Sequence, residues 1–395
     1  MEIDAREAFA RAVVAQAGTT DPRITAALAA VERERLIPRL YVPVSTRRPA
    51  RRWRLLDGSV PEDRDEYLAA VLGLDQVVTE LDGEDPAQHR RGRELVGVPS
   101  GMSSGAGLIA QVLEDLELQP GHRLLEVGAA PGYLASLAAR LTQCTVTAVE
   151  ADRRLANHSR RLLADRGADV QMVAGDGLLG LPAHGAWDRI TASFAVRSIP
   201  RAWLEQLAPG GFLRCTVTTG APGWHATARV RRDTGGHLSG WLSGGGWSHI
   251  PARGLPFLAV HEPSGEDPVC VRPALAPPGR TEFGFWLALA QLMPGVRRHW
   301  EEGREADRVV LVCPADGSRA VLTREGRTWL AEESGPRALW AQAEAHLCSW
   351  LAAGRPARYR LTFEADGTQH AGAGTRLAWT LPAHPVATTT TGATA

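Results

Sequence analysis

The run Arg123-Leu-Leu-Glu-Val-Gly-Ala-Ala-Pro-Gly-Tyr133 restricts this chain more than any other segment. Residues 124–127 are apolar enough for a buried strand, the next five are small and end in glycine, and 134–141 carry a helical apolar stripe. A strand that breaks into a small-residue turn and continues as a helix is the start of a βαβ unit. The alternation persists: strand-like 145–150, helical 155–163, strand-like 170–173 and 188–192, helical 201–207, then Pro209-Gly-Gly211 and strand-like 212–217. Short connectors between such runs predict a doubly wound, mostly parallel sheet, an α/β Rossmann-like core.

Around that core the chain divides by composition. Residues 1–100 read as a helical and loop region contributing to a substrate site, 101–220 as the core, 221–385 as a smaller α+β accessory domain, and 386–395, rich in Thr and Ala, as a disordered tail. In the first region, Asp21-Pro22 opens a helix whose Ile24, Leu28 and Val31 share a face, and the Arg-rich stretch around Arg47, Arg48, Arg51, Arg52 and Arg54 reads as a solvated loop or a dock for an acidic peptide. In the accessory region, Ala315-Asp-Gly-Ser318 and Ala365-Asp-Gly-Thr368 are hairpin turns, and between them Trp340, Leu347, Trp350 and Leu351 form one helical face. The tryptophans at 224, 241 and 247 read as packing under a Gly-rich loop or as a peptide groove, and His249 as a loop histidine.

Charge and cysteine content exclude several chemistries. The chain holds 44 basic and 44 acidic residues and no lysine, so no lysine base or Schiff base operates, and a balanced charge argues against nucleic-acid or membrane partners. The five cysteines are isolated and show no metal-ligand spacing, so no metal site is expected. With no signal-like or membrane-spanning run, the expected location is the cytoplasm.

The small-residue turn and two downstream acids suit S-adenosyl-L-methionine. Gly128 and Gly132 leave an open backbone at the switch region of such a sheet. Glu150 ends the second strand, 18 residues beyond Gly132, where a carboxylate reaches ribose hydroxyls. Asp176, within Gly175-Asp176-Gly177, follows the third strand and accepts from an adenine amino group. The loop lacks the G-x-G-x-x-G spacing that cradles a pyrophosphate, which this cofactor does not have. The cofactor-site set around these motifs is Gly128, Ala129, Ala130, Gly132, Tyr133, Glu150, Ala151, Asp176 and Gly177.

With those motifs in place, the chain resembles the protein-L-isoaspartate O-methyltransferase family over about residues 20–220. Val31-Glu-Arg-Glu-Arg-Leu-Ile-Pro38 is similar to the family's V-x-R-E-x-F-V-P, Ser104-Gly-Ala-Gly-Leu-Ile-Ala110 lies where the family has S-Q-P-x-x-V-A, and Ile199-Pro200 with Leu204-Glu-Gln-Leu-Ala-Pro-Gly-Gly211 resembles I-P…L-x-x-Q-L-x-x-G-G. The resemblance implies that Glu126, Gly128, Gly132, Glu150 and Asp176 line the cofactor pocket and that the Ser104 hydroxyl faces an acceptor carboxylate, Ser104 being the catalytic candidate. An N-cap of the helix around Leu108 is the alternative role for Ser104. The chain departs from the family at Ala129-Ala130-Pro131 and where Gly105-Ala106 replace Gln-Pro.

The long Trp-rich extension is similar to the branch found with ribosomally made peptide natural products. That resemblance implies an aspartate acceptor in a modified, macrocyclised precursor peptide, whose methyl ester closes to aspartimide, a product open to hydrolysis to isoaspartate. The alternative in the same reaction class is repair of damaged isoaspartyl proteins. The string Gly128-Ala-Ala-Pro-Gly132 also resembles RNA ribose methyltransferases, but those use lysines that are missing here. A non-enzymatic peptide-binding domain is supported only by Ala130. The oligomeric state is not legible in the sequence.

Overall fold

The computed structural model describes residues 2–45, 52–221, 224–244, 268–302 and 307–382. The chain forms two compact units, Met1–Phe194 with Ala202–Arg214 and Arg232–Gly235, and Ala195–Arg201 with Cys215–Arg231 and Gly236–Ala395. Residues 1–100 therefore share a unit with the nucleotide-type core, and the chain passes between units within its last core strand. Residues 386–395, Trp247, His249, Arg47, Arg48 and Arg51 lie outside the described residues.

The first unit begins with α1 (Glu2–Ala17), α2 (Pro22–Ala30) and α3 (Arg33–Leu36). Asp21 caps α2 by accepting from the Arg23 amide at 2.9 Å, and Ile24, Ala27 and Leu28 are its buried face. Then come β1 (Arg39–Ser45), β2 (Arg52–Asp57), α4 (Arg64–Val71), β3 (Val77–Leu81), β4 (Glu94–Val96) and β5 (Pro99–Ser103). These strands form an antiparallel sheet in the order β4-β2-β1-β3-β5, so Arg52 and Arg54 lie on a strand and not in the expected loop. Trp53 and Leu55, two apart on β2, point to one side and pack with Tyr41, Val78 and Leu81. On the same strand Arg52 pairs with Glu94 and Arg54 with Glu66, so both arginines are satisfied by this chain's own acids.

The core follows: α5 (Ala106–Leu116), β6 (Leu124–Val127), α6 (Tyr133–Thr142), β7 (Val146–Glu150), α7 (Arg153–Ala164), β8 (Val170–Ala174), β9 (Trp187–Val196), α8 (Arg201–Glu205) and β10 (Leu207–Thr218). Strand β6 lies between β7 and β9, with β8 outside β7, and all three of these pairings are parallel. The expected doubly wound α/β arrangement is present. β10 starts earlier than the sequence suggested, because Pro209-Gly-Gly211 is carried within the strand instead of interrupting it. Leu108, Val112, Leu113, Leu124, Leu134, Leu137 and Val146 join one buried cluster with α1 and α2.

The second unit holds β11 (His225–Arg232), β12 (Leu238–Gly244), β13 (Val269–Val271), α9 (Phe283–Leu292), β14 (Arg297–Glu302), β15 (Asp307–Cys313), β16 (Ser318–Glu325), β17 (Thr328–Ser334), α10 (Leu339–Ala352), β18 (Arg358–Phe363), β19 (Gln369–Gly372) and β20 (Ala378–Thr380). One sheet runs β13-β17-β16-β15-β14; in another, β12 pairs with β18, β18 with β19 and β19 with β20. Both expected hairpins are present, closed at Cys313↔Ser318 and Phe363↔Gln369. On α10, Trp340, Leu347 and Trp350 are buried, and Trp350 meets Phe285 of α9 edge-on with ring centroids 5.7 Å apart. Trp224 packs on the Arg298 guanidinium at 3.4 Å, with Trp286 on Arg298 at 3.9 Å, while Trp241 stays partly exposed beside Arg358. No helix among the described residues is long and apolar enough to cross a membrane.

The β2 register generates a direct test. Trp53→Ala removes a buried indole and its hydrogen bond to the Gly97 carbonyl, and should cost about 3–5 kcal/mol in denaturant unfolding. Arg52→Ala, which breaks only an exposed pair, should stay within about 1 kcal/mol.

Candidate functional site

The parallel register brings the candidate residues to one sheet edge. Val127 lies opposite Val149 on one side and Ala192 on the other, so the turn after β6 opens beside the tip of β7. Glu150 lies opposite Ala174, which places Asp176 just past the next strand tip. Gly128, Glu150 and Asp176 thus follow three neighbouring strand ends, the position at which open α/β sheets bind ligands.

The turn is held by its own backbone. The amides of Gly128 and Ala129 donate to the Val149 carbonyl at 2.8 and 3.2 Å, and the Ala130–Pro131 peptide is cis. Gly128 has φ +75°, and a side chain there would run into the Phe194 ring at 2.6 Å. Gly132 has φ +93° and faces Leu163. Ala130 is absent from the non-glycine residues of positive φ, so alanine is accepted at this departure from the family pattern.

Glu150 joins strand tip and turn. One carboxylate oxygen accepts from the Asp152 amide at 3.0 Å and the other from the Ala130 amide at 3.4 Å. Asp176 is exposed and caps the short turn Gly177–Leu179 by accepting from the Leu178 amide at 3.0 Å. Gly177 is buried for packing reasons: a Cβ would overlap Val127, and its carbonyl accepts from the Trp203 indole at 2.7 Å. Ala151 is exposed at the bend after β7, and Ala129 is buried beneath the turn.

Glu126 is the most perturbed group of the set. Burial pushes its carboxyl up to about 8, although the Ser193 hydroxyl, donating at 3.0 Å, and the first turn of α6 at Ala135 oppose that shift. Its Oε2 is buried with no hydrogen-bond partner. A buried carboxyl oxygen without a partner below a turn with a bare backbone, and two acids at the neighbouring strand tips, fit a ligand with an ammonium and a ribose diol, as S-adenosyl-L-methionine has.

Ser104 falls in the short link between β5 and α5. The helix begins one residue later than the N-cap reading requires: Gly105 occupies the cap position, with no side-chain cap bond, because β5 continues to Ser103. The capping role is therefore corrected. The Ser104 carbonyl accepts instead from the Arg33 guanidinium at 3.0 Å. Arg33 also donates to the Gly73 carbonyl at 3.3 Å and to Ser103 Oγ at 3.4 Å, and lies over the Tyr133 ring at 5.2 Å. Tyr133, first residue of α6, is buried and its hydroxyl has no partner. Arg33 thus ties the Ser104 segment to the start of the helix that follows the turn. The sequence reading passed over it, although it stands within the quoted Val31–Pro38 motif. Among the described residues no group of His, Cys, Asp and Glu is placed to hold a metal ion.

The family described as Protein-L-isoaspartate(D-aspartate) O-methyltransferase matches residues 95–238. A Protein-L-isoaspartate O-methyltransferase of Aeropyrum pernix is 35% identical over 139 residues, covering 34% of this chain and 53% of that protein. A Protein-L-isoaspartate O-methyltransferase 2 of Pelobacter propionicus is 33% identical over 162 residues, covering 40% of this chain and 68% of that protein. This chain spans little more than half the length of the Aeropyrum relative. A solved protein-L-isoaspartate O-methyltransferase structure superposes with TM-score 0.52 at 18% identity, covering 94% of this chain and all of that one, which is a likeness of fold.

Glu126 makes stability depend on pH. Its folded carboxyl titrates near 8 against an ordinary 4.5, so the native state holds the proton more tightly. The associated stability is complete below 4.5 and is lost as pH rises toward 8. Wild type should therefore lose stability relative to Glu126→Gln between about pH 5 and 8 in chemical denaturation; parallel profiles would contradict the assignment.

Proposed function

This chain belongs to the protein-L-isoaspartate O-methyltransferase family, and we propose that it transfers a methyl group from S-adenosyl-L-methionine to an aspartyl-type side-chain carboxylate of a peptide. Supporting this reading is the convergence of a bare glycine turn and two acids on three adjacent strand tips, with the Ser104 link tied to the same place through Arg33.

The donor supplies an electrophilic methyl carbon on a sulfonium. With the donor bound, an acceptor oxygen would bond to that carbon as the carbon–sulfur bond breaks, the electron pair staying on sulfur. An ionised carboxylate needs no base for this step. The chain's residues therefore bind, orient and desolvate. Glu150 and Asp176 hold the nucleoside, Glu126 offers an acceptor to the amino-acid end, and Gly128 and Gly132 keep the approach open. Ser104 orients the acceptor by one donated hydrogen bond. Ala129, Ala130, Ala151 and Gly177 shape the walls, and Tyr133 packs below.

The acceptor we favour is an aspartate in a ribosomally made precursor peptide. A methyl ester is a better electrophile than a carboxylate, so the next backbone nitrogen closes on it to give aspartimide, releasing methanol. The single supporting observation is the acceptor wall: Gly105 stands where the family has glutamine, and its missing side chain is enforced, since a Cβ would meet the Leu74 carbonyl at 2.9 Å. The site therefore presents backbone, and not the family's glutamine side chain, at this position of the acceptor wall. Repair of isoaspartyl proteins is the second reading, favoured by the names of the relatives. The accessory unit does not discriminate between them, because the fold likeness to a protein-L-isoaspartate O-methyltransferase extends over 94% of this chain. A cytoplasmic location is part of the proposal, as both acceptors are made there.

Two measurements test this. Incubation with donor and a macrocyclised aspartyl precursor should give, by mass spectrometry, a methyl ester and then net loss of water; methylation of an isoaspartyl peptide alone would leave the repair reading. Glu150→Ala should weaken S-adenosylhomocysteine binding about 10- to 100-fold in calorimetry, the worth of a charge-assisted hydrogen bond.

A further inference from the structure

Arg33 is fully buried, yet all of its hydrogen-bond acceptors are neutral: two backbone carbonyls and a hydroxyl. Its Nε has no partner. The acids beside it in sequence are engaged elsewhere: Glu32 pairs with Arg6 at 3.3 Å and Arg35 at 3.0 Å, and Glu34 lies 3.2 Å from Arg6. The ring facing it, Tyr133, is held in its neutral form by burial. A buried guanidinium without a carboxylate is costly to keep, and replacing such a group by an apolar one of similar volume is often neutral or stabilising. Its position indicates what the charge serves.

Arg33 grips the carbonyl of Ser104, immediately before the N-terminus of α5. The first intrahelical acceptor there is the Gly105 carbonyl, taken by the Ile109 amide at 3.2 Å, so the amides at the start of the helix have no partner within it. Those dipoles already favour negative charge. A guanidinium locked behind the same peptide adds a full unit of positive charge without touching what lies in front of it. That is the arrangement a methyl transfer to carboxylate needs. A cation bonded directly to the acceptor would hold the attacking oxygen's electrons; one set back behind the backbone selects and desolvates the anion and leaves the oxygen nucleophilic.

We propose that Arg33 is a specificity-determining positioning residue, whose buried and unneutralised charge behind the Ser103–Ser104 backbone selects an ionised carboxylate over its neutral amide counterpart. The inference rests on the reading of this site as a carboxyl methyltransferase. It accounts for an arginine where a structural tie would be met by neutral donors, and it explains how a site without lysine attracts an anionic acceptor.

The test uses the full chain saturated with S-adenosylhomocysteine, which has no methyl group to transfer, and measures binding of an aspartyl carboxylate peptide and of its carboxamide analogue beside a kinetic assay of methylation of the carboxylate peptide. Wild type should bind the carboxylate peptide at least about tenfold more tightly than the carboxamide, the size expected for a charge screened by the protein. Arg33→Met should reduce that ratio to near unity and raise the acceptor KM about tenfold or more with a smaller change in kcat, while S-adenosylhomocysteine affinity is retained. Arg33→Lys should restore most of the carboxylate preference. Equal loss in the Met and Lys variants, or a wild-type ratio near unity, would overturn the proposal, and the second result needs no variant to fold. If wild type binds S-adenosylhomocysteine but methylates neither the precursor nor an isoaspartyl peptide, the functional reading fails, and this inference with it.

Discussion

The parallel pairing of β6 with β7 and β9 is the constraint on which the site depends. Because Val127 is level with Val149 and Ala192, the chain must leave the sheet at Gly128 beside the exit of β7, and the amides of Gly128 and Ala129 are fixed on the Val149 carbonyl. A shift of register would turn inward-facing residues outward and separate the turn from Glu150. Glu150 then fastens the two exits by accepting from Ala130 and Asp152. The carboxylate that suits a ribose diol is thus held in place by the turn it serves.

Around this edge the chemistry is one of placement. Two acids remain at strand tips, one carboxyl is pushed up by burial, and one cation is hidden behind a backbone segment. None is a strong base, which suits a reaction whose nucleophile arrives already ionised. Arg33 also shows how the N-terminal region belongs to the site: its three acceptors lie 40, 70 and 71 residues further along the chain. That is consistent with residues 1–100 sharing a compact unit with the core.

Much of this was legible in the sequence where a local pattern and the tertiary demand coincide. Leu124–Val127, the glycine turn and the acids at Glu150 and Asp176 each occupy a position that only one element type satisfies, and both Asp-Gly hairpins closed as read. The antiparallel sheet of β1 to β5 was missed because Trp53 and Leu55 alternate with arginines that mimic a solvated run, while their partners, Tyr41, Val78 and Leu81, are remote in sequence. Arg33 was missed for the same reason: between two glutamates it reads as a surface charge, and only the fold reveals that both acids are taken by other arginines. Gly177 carries a packing requirement that the sequence does not show, since Val127 lies against it. Ser104 misled in register, since one further residue of strand moved the helix cap to Gly105.

The most direct measurement is diffraction from crystals grown with S-adenosylhomocysteine. The nucleoside should lie across the Gly128–Gly132 turn, with ribose hydroxyls on Glu150, adenine beside Asp176 and the amino group near Glu126. Ligand bound at another edge of the sheet, or Glu150 still engaged only with Ala130 and Asp152 while the nucleoside lies elsewhere, would contradict it.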